Sequence, residues 1–117
     1  MSFSLFEHLS FHDSTTLEVK EDTKNQTLDF LLRYPVDWKN YVFEKKILRF
    51  IDAIVYIKKE IPFEGLPSIM DIKLLNSPKH TYTFADGVTV SSKYKVEIET
   101  NEGSRFIEFN DAELLDI

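Results

Sequence analysis

Cysteine is absent from the 117 residues. With it go disulfide frameworks, thiolate zinc sites and cysteine nucleophiles, and the expected compartment is the reducing cytoplasm. No apolar run approaches the ~20 residues of a membrane-spanning helix. The opening Met1–Ser10 contains Glu7 and His8 but no basic residue, so it does not read as a signal peptide. Glycine is scarce, with three residues in stretches that read as turns. That excludes a phosphate-cradling loop and a dinucleotide fingerprint. What remains is apolar enough to fold: 43% hydrophobic and 14% aromatic residues supply one core and one domain spanning 1–117.

Basic residues are missing from the C-terminal end. Up to Val96 thirteen acids balance thirteen Lys and Arg, whereas from Glu97 onward seven acids face Arg105 alone, which accounts for the whole net charge of −6. A nucleic-acid binder needs a basic stripe to displace counterions from phosphate, and this balance is the reverse. Neither nucleic acid nor an anionic membrane is an expected partner. An acidic tail suits either a landing site for a basic protein or a solvated edge that keeps a β-protein soluble.

Period-2 alternation dominates the pattern. Along Val88–Glu99, the residues Val88, Val90, Ser92, Tyr94, Val96 and Ile98 share one face, and Thr89, Ser91, Lys93, Lys95, Glu97 and Glu99 share the other. A three-residue loop Ala85-Asp86-Gly87, with glycine left-handed, pairs Tyr82 with Val90 and keeps the faces in register. A turn at Glu102-Gly103 then pairs Ile98 with Ile107 and Val96 with Phe109, and sets Glu97 opposite Glu108. Earlier, Thr16–Lys20 and Thr27–Tyr34 pair as a hairpin with Leu17 opposite Leu32, Val19 opposite Phe30 and Lys20 opposite Asp29. The stretch Tyr34–Trp38 reads as a loop because proline ends a ladder. Phe43–Ile61 fits a helix face, but its isoleucine-rich centre favours one long strand. On that strand Asp52 falls among apolar neighbours unless a bulge turns it outward. Ile69–Leu75 reads as a further strand, and Phe3–Leu9 as a helical turn packing Phe3, Phe6 and Leu9. The expected fold is mainly β: an antiparallel sandwich or half-open barrel of seven or eight strands, with at most one or two short helices.

Chemistry is sparse. His12-Asp13-Ser14 holds the three residue types of a hydrolase triad, but adjacent side chains diverge and cannot form one. Turn formation suits these residues better. His8 and His12 have helical ligand spacing, yet a zinc site needs further ligands and the remaining histidine is His80. No metal and no cofactor is expected. Opposed glutamates destabilise a sheet, so Glu97 and Glu108, with Glu99 and Asp111, mark the expected contact face for a basic partner. Tyr34, Trp38 and Tyr41 either line a groove and anchor an interface or close the core. The tail residues Leu114, Leu115 and Ile117 are available to cover a sheet edge or to pair with a second copy.

Phe11-His12-Asp13-Ser14, followed by the strands Thr16–Lys20 and Leu28–Arg33 and the later apolar run Ile47–Asp52, resembles a group of small bacterial all-β proteins. Some of these are similar to immunity proteins of polymorphic toxin systems. The resemblance covers the first half of the chain and implies a protein that neutralises a toxin domain by binding it, without catalysis. It carries over no functional residue. The leading expectation is therefore a non-enzymatic binding protein. The alternative is a small-ligand carrier whose half-open barrel is lined by Phe30, Phe50, Tyr56 and Tyr94.

Overall fold

The computed structural model describes residue 6 and residues 10–61, 65–75, 80–83 and 85–117. Ten strands run through them: β1 (Thr15–Asp22), β2 (Thr27–Asp37), β3 (Val42–Ile51), β4 (Val55–Glu60), β5 (Ile69–Leu75), β6 (His80–Thr83), β7 (Thr89–Ser92), β8 (Tyr94–Thr100), β9 (Gly103–Phe109) and β10 (Asp111–Asp116). Eight of them form two antiparallel four-stranded sheets, ordered β1-β2-β3-β10 and β4-β9-β8-β5. The hairpin β6-β7 stands outside both. The chain is thus the expected mainly-β sandwich, with two strands more than the sequence reading allowed.

Alternation explains the core. Phe30, Leu32, Leu48, Phe50 and Ala112 project from the first sheet, and Ile69, Val96, Ile98, Ile107 and Phe109 from the second; all are fully buried. The rings interlock, with Phe50 edge-on to Phe109 at 4.9 Å and to Phe30 at 5.7 Å, geometries favoured by ring quadrupoles. Phe6, the described residue of the expected opening turn, stacks on Phe50 at 6.0 Å. Phe3 and Leu9 lie outside the described residues.

The one long strand expected over Phe43–Ile61 is interrupted at residues 52–54 and divides between the two sheets. Its two halves are β3 and β4, and they pair with β10 and β9, so one antiparallel ribbon crosses from sheet to sheet. From Ile51↔Asp111 to Val55↔Glu108 one strand advances four residues and the other three. The extra residue makes a bulge at which Asp52 takes a φ of 53° and points to solvent. Strands that change sheets commonly turn such corners. A second tie joins the start of β1 to the start of β5: Thr16 N donates to Pro67 O at 2.9 Å and Ile69 N to Ser14 O at 2.7 Å.

Four further expectations need correction. Tyr34–Asp37 is strand, because β1 pairs with β2 only as far as Thr15↔Arg33 and leaves that edge of Pro35 without a ladder to break. The Val88–Glu99 strand divides at Lys93, whose N–H bonds Phe109 O, so β7 and β8 join different sheets. A bulge between Thr16 and Glu18 gives Leu32 to Thr16 rather than to Leu17, while Val19↔Phe30 and Lys20↔Asp29 hold. The fourth is the register of Glu97 and Glu108, taken up below. The tail covers an edge within the chain, pairing Leu114 with Leu48 and Leu115 with Ile47.

Candidate protein-binding site

The acids of the C-terminal stretch do not gather into one acidic face. On the outer side of the second sheet the rows across strands read Asp71-Glu99-Ser104-Lys59, Lys73-Glu97-Phe106-Ile57 and Leu75-Lys95-Glu108-Val55. Glu97 therefore opposes Phe106, and Glu108 opposes Lys95, instead of the two glutamates opposing each other. Lys73 Nζ pairs with Glu99 at 2.5 Å, and Ser104 Oγ donates to Glu97 at 2.9 Å. Lys59 and Lys95 each hold an ammonium 5.6 Å from the Phe106 ring centre. On the first sheet Glu113 faces Arg49, and Asp116 forms an ion pair with Lys46. Asp111 caps its own strand by accepting from Ala112 N at 2.9 Å. Antiparallel pairing has laid the basic strands β3 and β4, and Lys73 of β5, beside the acidic ones.

Glu108 is buried. It is 5% exposed and accepts a hydrogen bond from Ser92 Oγ at 3.2 Å. Glu108→Lys would remove that acceptor and set an ammonium opposite Lys95. The expected result is a loss of about 2 kcal/mol in urea unfolding, whereas relief of a Glu97–Glu108 repulsion would give a gain.

The three aromatics separate into two kinds. Tyr34 belongs to the fold: its hydroxyl donates to Ser10 O at 3.1 Å, its ring lies edge-on to Phe11 at 5.7 Å, and burial raises its pKa. Trp38 and Tyr41 sit at the tip of the β2–β3 hairpin. Beyond Arg33 and Lys46 neither β1 nor β10 flanks this hairpin, so residues 34–45 form a two-stranded arm. Trp38 is 49% exposed and Tyr41 82%, with Val36 and Val42 also exposed beside them.

Hydrogen bonds close the tip. Asp37 accepts from Asn40 N at 3.2 Å and from Asn40 Nδ2 at 2.7 Å, and the side-chain bond foremost holds its carboxyl below the usual range. Tyr41 N donates to Trp38 O at 3.3 Å, and Tyr41 itself has a φ of 56°. The His12 ring meets Trp38 edge-on at 6.1 Å.

The His12-Asp13-Ser14 segment is a turn, as expected, though its closing bond is made by backbone. Ser14 N donates to Phe11 O at 3.1 Å, and Asp13 takes a φ of 67°. His12 Nδ1 lies 2.9 Å from Met70 O, while the buried Ser14 Oγ has no hydrogen-bond partner among the described residues. Ser14 and His12 thus form no nucleophile–base pair. No group of three or more His, Cys, Asp or Glu that could hold a metal occurs among the described residues; His8 lies outside them.

One buried polar cluster escaped the sequence reading. Arg105, 3% exposed, forms an ion pair with Glu60, whose side chain is fully buried. Arg105 also donates to Tyr56 Oη at 3.1 Å, and Thr100 Oγ1 donates to Glu60 Oε2 at 2.9 Å. Burial pushes the Glu60 carboxyl up, but the bonds from Arg105 and Thr100 outweigh it and leave the pKa lowered. The signal for this pair is spatial, since Glu60 and Arg105 lie 45 residues apart. Of the rings suggested for a carrier pocket, Phe30 and Phe50 are fully buried, Tyr56 packs on Phe30 at 5.9 Å and Tyr94 on Phe109 at 5.9 Å.

No helix among the described residues is long and apolar enough to cross a membrane. Comparison with family models, with curated proteins and with solved structures gives no match.

Proposed function

We propose that this chain is a non-enzymatic protein-binding module that engages its partner through the tip of the β2–β3 arm. The observation that carries the proposal is Tyr41. A non-glycine residue in the left-handed region costs about 1–2 kcal/mol, and at 82% exposure this ring recovers little of that by burial. Glycine or asparagine would occupy the position at less cost, so the fold does not call for tyrosine there. With Trp38, Val36 and Val42 it forms an apolar patch, bordered in sequence by Asp37, Lys39 and Glu44. Exposed patches of this kind mark interaction sites, and tyrosine and tryptophan supply most interface anchors.

The net charge of −6 favours a basic partner during approach. Glu97, Glu99 and Asp111 then act at long range, and the aromatic tip supplies the contact. Inhibition of a toxin domain by binding, the role implied by the N-terminal resemblance, is the specific form of this reading, and the charge favours a basic one.

Tyr41→Gly is expected to stabilise the fold by about 1 kcal/mol. It should also reduce capture of the partner from an extract of the source cells about tenfold or more. Trp38→Ala should weaken capture comparably without the gain in stability. A Tyr41→Gly protein that captures the same proteins in the same amounts would contradict the proposal.

A further inference from the structure

We infer that the unclosed side of the sandwich, between the free edges of β1 and β4, is a groove that binds an extended basic peptide. This rests on observations separate from the hairpin tip. Two hollows, of about 670 and 610 Å³, open there and meet at Glu21 and Tyr56. One runs toward Thr16 and Lys58, the other toward Gln26 and Ile54. A strand as long as β1 spans roughly 26 Å at 3.3 Å per residue, so a linear occupant suits the space.

The edges suit it too. β1 has one sheet neighbour, β2, and β4 has one, β9. Past the tie at Thr15↔Ser68, both therefore present backbone groups with no sheet partner among the described residues. An extended peptide binds such an edge by adding a strand, with alternate side chains entering the hollow beside it.

The wall is short of hydrogen-bond partners at two buried points. Arg105 gives its terminal nitrogens to Glu60 and Tyr56, but its Nε has no partner among the described residues. Neither has Thr16 Oγ1, and Thr16, like Arg105, is 3% exposed and lines the groove. Both atoms are closed to solvent and lie behind the groove wall, so the backbone edges and the charge, rather than these atoms, meet an occupant. The charge then selects among peptides. Arg105 is balanced by Glu60, which among the described lining residues leaves Glu18, Glu21 and Asp22 against Lys58. A lysine or arginine on the incoming strand meets that excess.

The test is selection of a random octapeptide display library on the immobilised full chain at physiological salt, followed by amide-shift mapping with the enriched peptides. Enriched sequences are expected to alternate apolar residues and to carry at least one Lys or Arg. They should shift the amides of β1 from Glu18 onward and of β4. The double variant Glu18→Lys, Glu21→Lys, its fold verified from the same spectra, should bind them about tenfold more weakly, and Trp38→Ala should bind them as the parent does. Absence of enrichment, shifts confined to other surfaces, or indifference to the charge reversal would overturn the inference. Loss of binding on Trp38→Ala with shifts at the arm would overturn it as well, while supporting the hairpin tip.

Discussion

Gly103→Ala, the addition of one methyl group, is expected to destabilise the protein by about 3 kcal/mol or more, from overpacking and backbone strain together. A Cβ at this position would lie 2.2 Å from the carbonyl oxygen of Lys59 and 2.6 Å from Glu60 Cβ. The first of these is backbone inside the β4–β9 ladder, so it cannot swing aside. Gly103 also has a φ of 148°, which L side chains rarely adopt. The residue ends the β8–β9 turn, paired with Thr100 on one side and Glu60 on the other. Opening the ladder to admit a methyl would also disturb the bonds from Arg105 and Thr100 to Glu60. Urea unfolding measures the effect, and a loss under about 1 kcal/mol, the scale of an ordinary surface change, would show that the strands approach less closely than described.

Glu60→Ala is expected to cost about 3–5 kcal/mol, because it leaves the Arg105 guanidinium buried without its counter-charge. The double variant Glu60→Leu, Arg105→Met should recover most of that loss, since removing both charges also removes their desolvation cost. The same pair sets an acid limit. The folded-state pKa of Glu60 is lowered, so its contribution is fully present above the unfolded value, about 4.3, and is lost as pH falls through the folded one. Stability measured between pH 6 and about pH 3 should therefore fall more steeply in the parent than in the double variant. Equal slopes would mean that the pair does not govern acid unfolding.

Much of the fold was legible because the strand period is local. Alternation located β8, the strand read over Ile69–Leu75 is β5, and the Ala85-Asp86-Gly87 loop pairs Tyr82 with Val90 as the face argument required, with Gly87 at a φ of 87°. The outward bulge at Asp52 followed from the cost of burying a carboxylate. The β8–β9 register was not legible. A shift of two residues leaves every side chain on its own face, so alternation cannot distinguish Ile98↔Ile107 from the actual Ile98↔Arg105. The turn decides it, and with Thr100 opposite Gly103 only Asn101 and Glu102 remain in the loop.

That shift undoes the proposed glutamate pair and moves Arg105, the single base of the tail and inward-facing in either register, from opposite Thr100 to opposite Ile98. Charge counted along the chain was a poor guide to charge in space, because the partner strands come from elsewhere in the sequence. The aromatic tip was visible as composition, but exposure of Trp38 and Tyr41 depends on β1 and β10 stopping short of the arm. That is a property of strand lengths across a whole sheet.

The most direct measurement of the proposed function is site-specific photo-crosslinking in source cells, with the probe placed at position 41 in one protein and at position 97 in another. A discrete adduct from position 41, lost on Trp38→Ala and weak or absent from position 97, is the expected result. A strong adduct from position 97 with none from position 41 would return the contact surface to the acidic strands and contradict a partner held by Tyr41.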